Sequence, residues 1–303
     1  MRREKYLYGI LYAVLSSATF GLIPLFSIPL LGGGMSSQTV LCYRFLIAAL
    51  LMGGIVIITH RNLKLSLRQT YSVILLSVLY ALTAILLIES YKYIPSGIAT
   101  TIHFIYPLVV ALIMSWLYGE QTSIATYIAI VLSIIGVILL AWGGHHGGDF
   151  KRGVAFAMAT VFTYAIYIVG VMKSRASRID SQVLTFYVLL IGAIIFSLYA
   201  FVTEGVGPIR SFAEWRNLLM LALVCTVLSD YTLVLAVKRV GSTMTSILGS
   251  VEPVTAIVVG VVYFGERFDA VSVAGLLLVI IAVVMVIVQG GRTEDKIQNK
   301  RVE

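Results

Sequence analysis

The sequence predicts an all-α polytopic membrane protein, with ten transmembrane helices arranged as two inverted five-helix repeats around a central cavity. Three observations carry that prediction: an apolar composition with few charges, ten apolar runs of spanning length, and an internal duplication. Of the 303 residues, 59% are hydrophobic and 12% charged, against about 25% charged in a soluble domain. The mean hydropathy is +0.99. Something other than water must therefore cover much of the exterior.

A spanning helix needs about 20 predominantly apolar residues. Ten segments qualify: 7–31, 38–59, 71–88, 96–118, 124–142, 153–172, 182–202, 218–237, 242–264 and 270–288. The first run, Leu7–Leu31, follows Met1-Arg2-Arg3-Glu4-Lys5 and is too long for a signal-peptide core. It reads as a retained helix. Connections are short, polar or glycine-rich. The expected division is a first repeat over 1–146, a second over 147–291 and a charged cytoplasmic tail over 292–303.

The net charge is +8, but the basic residues sit in loops between apolar runs. They orient a membrane protein and do not point to nucleic acid. With the N-terminus cytoplasmic, 15 Lys and Arg fall on the cytoplasmic side and 6 on the other, leaving Arg44 within a helix. Both termini are then cytoplasmic, in a plasma or inner membrane. Cys42 and Cys225 lie in apolar segments and read as buried free thiols.

The duplication is the most informative feature. An offset of 144 aligns Gly9 with Gly153, Ala13 with Ala157, Thr19 with Thr163, Ser37-Gln38 with Ser181-Gln182 and Tyr43 with Tyr187. An offset of 146 aligns Lys92 with Lys238, Ser96 with Ser242, Pro107 with Pro253, and Gly119-Glu120 with Gly265-Glu266. Five spans per copy is an odd number, so the second copy must enter the membrane upside down. The charge count agrees, with Lys92 outside and its counterpart Lys238 inside. Inverted repeats are characteristic of secondary transporters, whose site lies near the midplane between the halves.

The motifs Tyr106-Pro107 with Gly119-Glu120, and Glu252-Pro253 with Gly265-Glu266, resemble those of the EamA-type family in the drug/metabolite transporter superfamily. Arg44 near the start of the second helix also fits. The likeness covers residues 6–290; Tyr106 stands where the family more often has Glu. This resemblance implies helices 1–4 and 6–9 around a central cavity, helices 5 and 10 at the periphery, and alternating access without ATP hydrolysis. There is no GxxxxGK[ST] sequence.

An ionisable side chain inside the bilayer costs about 2.5–3.5 kcal/mol on insertion scales, so it usually faces a cavity or a partner. Arg44, His103, Asp230 and Glu252 are the four candidates. Arg44 reads either as a snorkelling guanidinium paired with a loop carboxylate or a helix C-terminus, or as a contact for an anionic group or half of a gating ion pair. Glu252 is a structural hydrogen-bonding group or a binding group. Asp230, whose counterpart Ala84 is apolar, is the sharpest candidate for substrate or proton binding. His103 is a satisfied bundle histidine or a neutral-range titrating group.

Ser96, Thr100, His103 and Pro107 share one helical face, as do Ser242, Ser246, Gly249 and Pro253. They mark either close helix packing or two stripes facing the cavity. Pro107 and Pro253 break mid-helix hydrogen bonds and are candidate hinges. Tyr80 and Tyr164 are candidate aromatic walls.

The candidate substrate-binding set is therefore Arg44, Tyr80, Thr100, His103, Tyr164, Asp230, Ser246 and Glu252. No catalytic residue, metal site or cofactor is expected, though coupling to protons stays open. His145-His146 before Asp149 sits in a glycine loop without a fixed ligand set. The expected partners are a small-molecule substrate and the bilayer, with a homodimer open. The leading expectation is a secondary-active exporter of a small metabolite such as an amino acid. A proton-coupled drug or cation exporter is the alternative, and a receptor or structural membrane protein the alternative of another class. An intramembrane enzyme would need a nucleophile with its base, or metal ligands, and no such motif stands out.

Overall fold

The computed structural model describes residues 2–119, 148–203, 205–249, 251–266 and most of 270–285, with scattered positions between 124 and 139. Among these every regular element is helical. The helices are α1 (Arg2–Phe20), α2 (Ile23–Gly32), α3 (Ser37–Ile58), α4 (Leu67–Ser90), α5 (Ser96–His103) and α6 (Tyr106–Tyr118). They continue as α7 (Gly148–Lys173), α8 (Ser181–Val202), α9 (Phe212–Ala222), a π-helical turn (Leu223–Leu228), α10 (Ser229–Leu248) and α11 (Val251–Phe264). A last one, α12, covers Val273–Ala282.

Seven described helical stretches are long and apolar enough to cross a membrane, and α11 and α12 are shorter apolar helices. Most of the expected fifth span, Glu120, the His145-His146 linker and the 292–303 tail lie outside the described residues.

Local sequence sets most helix starts. Ser36, Asp180 and Ser211 cap α3, α8 and α9 by accepting the Thr39, Gln182 and Glu214 amide protons. Ser66 and Gln69 form a reciprocal capping box on α4. Such caps contribute about 1 kcal/mol each. The counterparts Gly119 and Gly265 end α6 and α11 with φ of 69° and 64°, a conformation glycine adopts without a Cβ penalty.

Three spans that read as continuous in sequence are interrupted. The first breaks at Gly21–Leu22, the fourth at Phe104–Ile105 and the ninth after Gly249. Tight i→i−3 bonds cross each break, from the amides of Leu22 to Thr19, Ile105 to Ile102 and Glu252 to Gly249. Pro24, Pro107 and Pro253 each fall in the first turn of the following helix. This corrects the expected mid-helix proline kink, because the first turn has no intrahelical acceptor for the missing N–H. It also takes Pro107 and Pro253 out of the two predicted stripes. A fourth break lies inside α10, where Gly241 has φ 87° and ψ 165°.

The bundle packs in counterpart pairs. α1 lies on α10 and α4 on α7, while α3 packs on α8 and α5 on α11. A Cβ on Gly9 would run into Val240, and one on its counterpart Gly153 would run into Ile94, the counterpart of Val240. Glycine permits this close approach at both places.

Helices α3 and α8 run antiparallel. Thr59, just past the end of α3, donates to Gln182 at the start of α8 (2.7 Å). At the other end the Gly207 amide, beyond α8, donates to Thr39 (3.2 Å). α5 and α11 are likewise antiparallel: the Ser96 amide and hydroxyl and the Gly97 amide all donate to the Glu266 carboxylate, at 2.8, 2.6 and 3.2 Å. Outward faces carry Leu50, Ile58, Leu67, Trp116, Phe201 and Val262, all exposed. That is the surface a lipid environment requires.

Candidate functional site

At the centre of the bundle the breaks converge. A Cβ on Gly21 would lie 2.5 Å from the Glu252 carbonyl and 2.6 Å from Thr255, and one on Gly249 would overlap the Tyr106 hydroxyl. Glycine at both positions lets the three interrupted spans touch where their backbones are least regular.

Arg44 is 2% exposed on the second turn of α3. Its Nε donates to Thr226 Oγ1 (2.7 Å) and its Nη2 reaches the Cys225 carbonyl (3.4 Å). The snorkelling reading is thereby corrected, because the guanidinium is sealed among helices. Among the described residues it makes no ion pair with a carboxylate. Its partners sit in the π turn, where Thr226 Oγ1 donates five residues back to the Leu221 carbonyl (2.8 Å). π turns recur at functional sites because their wider register re-aims backbone groups.

One turn further on, Asp230 is buried, and its Oδ1 accepts the Tyr80 hydroxyl proton at 2.7 Å. Its Oδ2 has no hydrogen-bond partner. An orphaned carboxylate oxygen in the interior is costly unless a proton or ligand supplies the missing bond.

His103 ends α5 with Nδ1 2.7 Å from Thr160 Oγ1. That hydroxyl donates to the Ala157 carbonyl at 2.5 Å, so it accepts from the histidine and assigns the ring proton to Nδ1. Nε2 is left facing Glu252 Oε1 at 3.9 Å. Glu252, in the first turn of α11, is 2% exposed.

Aromatic rings bind these groups into one cluster. Tyr164 lies 5.0 Å from His103, 4.7 Å from Tyr106 and 6.0 Å from both Phe20 and Tyr167. Tyr80 lies 5.1 Å from Tyr167. Arg44, Tyr80, His103 and Tyr164 line a void together with Phe20 and Thr83. Its volume of about 10 Å³ admits about one water. In place of the expected open central cavity, the described residues enclose only this water-sized void.

Six of the eight sequence candidates therefore meet: Arg44, Tyr80, His103 and Tyr164 on the void, Asp230 through Tyr80, and Glu252 opposite His103. Thr100 is buried on α5 and its hydroxyl has no hydrogen-bond partner. Ser246 lies off the void and donates to the Thr243 carbonyl of its own helix (2.8 Å). Thr226 and Thr160 escaped sequence reasoning, because lone threonines in apolar runs carry no signal. Thr83 escaped too, although its partner Thr163 (2.7 Å) is one of the repeat-matched positions. No cluster of metal-binding side chains occurs among the described residues.

A helical bundle with seven stretches long and apolar enough to cross a membrane, an apolar exterior, and ionisable and aromatic side chains at its core has the build of a polytopic membrane protein. The chain belongs to the EamA-like transporter family, whose model matches twice, at residues 7–142 and 151–288. It is 27% identical over 249 residues to the uncharacterized transporter YvbV of Bacillus subtilis, covering 80% of each chain. It is 23% identical to the uncharacterized inner membrane transporter YedA of Escherichia coli K12, over 80% of this chain and 79% of that one. Similarity also extends to the threonine/homoserine exporter RhtA of Salmonella typhimurium, at 29% identity over 64% of this chain and 63% of that one. A solved crystal structure superposes with a TM-score of 0.69 at 16% identity, covering 95% of this chain and 99% of its own.

Proposed function

We propose that the chain is a secondary-active exporter of a small zwitterionic metabolite, such as an amino acid, working by alternating access between two inverted five-helix halves. The observation that carries this reading is the charge count of the sealed centre. Arg44 supplies one positive charge, and Asp230 and Glu252 two negative charges when ionised. With one of the two acids protonated, one positive and one negative group remain, the complement of a zwitterion, and Asp230 Oδ2 lacks a donor. A substrate ammonium would supply that donor while its carboxylate turns to Arg44. RhtA, an exporter of threonine and homoserine, is in keeping with that chemistry.

The antiparallel course of α3 against its repeat counterpart α8 supports inversion of the two halves. The ten-span arrangement, repeats over 1–146 and 147–291, and cytoplasmic termini belong to the same proposal. Reporter fusions at Gly147 and at the C-terminus test it: they report opposite sides of the membrane. Prolines 107 and 253 act as hinges at the breaks, and replacing both by Ala slows exchange between the two open states.

A second reading has a specific observation in its favour. With both acids ionised the centre carries a surplus of one negative charge, which, ringed by Tyr80, Tyr106, Tyr164 and Tyr167, suits an aromatic or alkylammonium cation exchanged for a proton. Proteoliposome flux of a labelled panel of amino acids and organic cations, with and without a pH gradient, separates the two. Amino-acid flux lost in Arg44→Gln supports the first, and cation flux indifferent to Arg44→Gln the second. Absence of flux for every substrate class would overturn both.

A further inference from the structure

Away from the centre, at the end of the bundle where α3 leads into α4 and α7 into α8, the structure forms a second, open pocket of about 410 Å³. Its wall is polar and predominantly basic: His60, Arg61, Asn62, Lys64 and Arg178, with Asp180 as the one carboxylate. Arg61 engages that carboxylate at 3.5 Å and donates its Nε to Gln182 at 3.0 Å. Asp180 in turn accepts the Gln182 amide proton as the cap of α8. The acid is thus already committed. Among the described residues, neither Lys64 nor Arg178 makes a salt bridge.

Two helix N-termini open onto the same pocket. Leu65 and Gln69 belong to the start of α4, and Ile179 and Asp180 to the start of α8. Both first turns are already capped, by Ser66 with Gln69 and by Asp180, so the character of the concavity comes from its basic side chains. Cationic side chains from two loops in one concavity are what a phosphate group requires. Beside the pocket, Leu63, Leu67 and Tyr71 stand exposed, forming an apolar strip beside the basic wall.

We propose that this pocket binds a phosphate group, and that the adjoining apolar strip favours the headgroup of an anionic phospholipid as its source. The inference is independent of what the central site carries. Lys64 and Arg178 are the binding groups, and Arg61 is held in place by Asp180 and Gln182.

The test uses the full-length protein in neutral detergent. Native mass spectrometry measures retention of phosphatidylglycerol, with phosphatidylcholine as the uncharged reference, and a thermal-shift series measures inorganic phosphate. Selective retention of phosphatidylglycerol, weakened about 30-fold in Lys64→Gln/Arg178→Gln, is the expected result, each basic group contributing about fivefold. Arg216→Gln, an exposed basic residue outside this pocket, leaves retention unchanged. Phosphate that stabilises the protein without lipid preference, and loses this in the double variant, identifies the soluble anion as the source. Retention equal for both lipids with no phosphate effect, or undiminished in a double variant with parental Tm, overturns the proposal.

Discussion

The two halves of the molecule share a scaffold but not a chemistry. At an offset of 146, Tyr80 and Ala84 on the unbroken α4 correspond to Thr226, inside the π turn, and Asp230, just past it. His103 and Tyr106 correspond to Gly249 and Glu252; at an offset of 144, Arg44 corresponds to Val188. The first half thus contributes the cation and the neutral donors, and the second contributes both acids. The two matched halves supply similar helical frames; divergence at a handful of positions puts the cation on one and both acids on the other, the asymmetry on which the proposed zwitterion reading rests.

The largest expected effect comes from erasing the acids. Asp230→Asn or Glu252→Gln reduces flux at least 100-fold, whereas either change leaves the amount of folded protein close to parental; proteoliposome flux beside size-exclusion yield measures both. Flux retained in both variants would break the contrast between the halves. Next is the arginine's anchor. Thr226→Val removes the Nε acceptor of a buried guanidinium and costs about 1.5–3 kcal/mol, lowering Tm. Tyr80→Val, at the counterpart position, leaves the buried Asp230 carboxylate without a donor and removes a buried ring, so Tm falls at least as far.

A smaller effect separates the break in the first span from its unbroken counterpart. Gly21→Ala drives a methyl into the Glu252 carbonyl and costs about 1–3 kcal/mol. At the counterpart, α7 is continuous and already carries Ala165, so Ala165→Gly costs only about 0.5–1 kcal/mol. Thermal unfolding of both variants in one detergent measures the difference. The smallest effect belongs to Arg61→Gln, which loses a half-exposed ion pair with Asp180 worth about 0–1 kcal/mol.

Much of this was legible in the sequence because its causes are one-dimensional. Spans follow from runs of apolar residues, and repeat counterparts from matched Lys, Pro and Gln letters. Intramembrane charges announce themselves by their cost, and Arg44, Asp230, Glu252 and His103 do gather at one place. The breaks were only half visible. Pro107 and Pro253 flagged irregular backbone, yet whether a proline kinks a helix or starts a new one depends on what the preceding residues touch. The π turn at Leu223–Leu228 left no trace, since its letters are ordinary helix letters and its register is fixed by Arg44 reaching in from α3. Ser246 failed for the opposite reason: a hydroxyl on a promising face found its acceptor on its own backbone.

The Glu266 carboxylate ties the entrance of α5 to the exit of α11 through three donors. Prising those ends apart would forfeit three charge-assisted bonds of about 1.5–3 kcal/mol each, whereas carrying both helices along together forfeits none. Under the alternating access proposed above, this fastened corner is therefore cheapest to move as a single strut, leaving the swing to the spans around it.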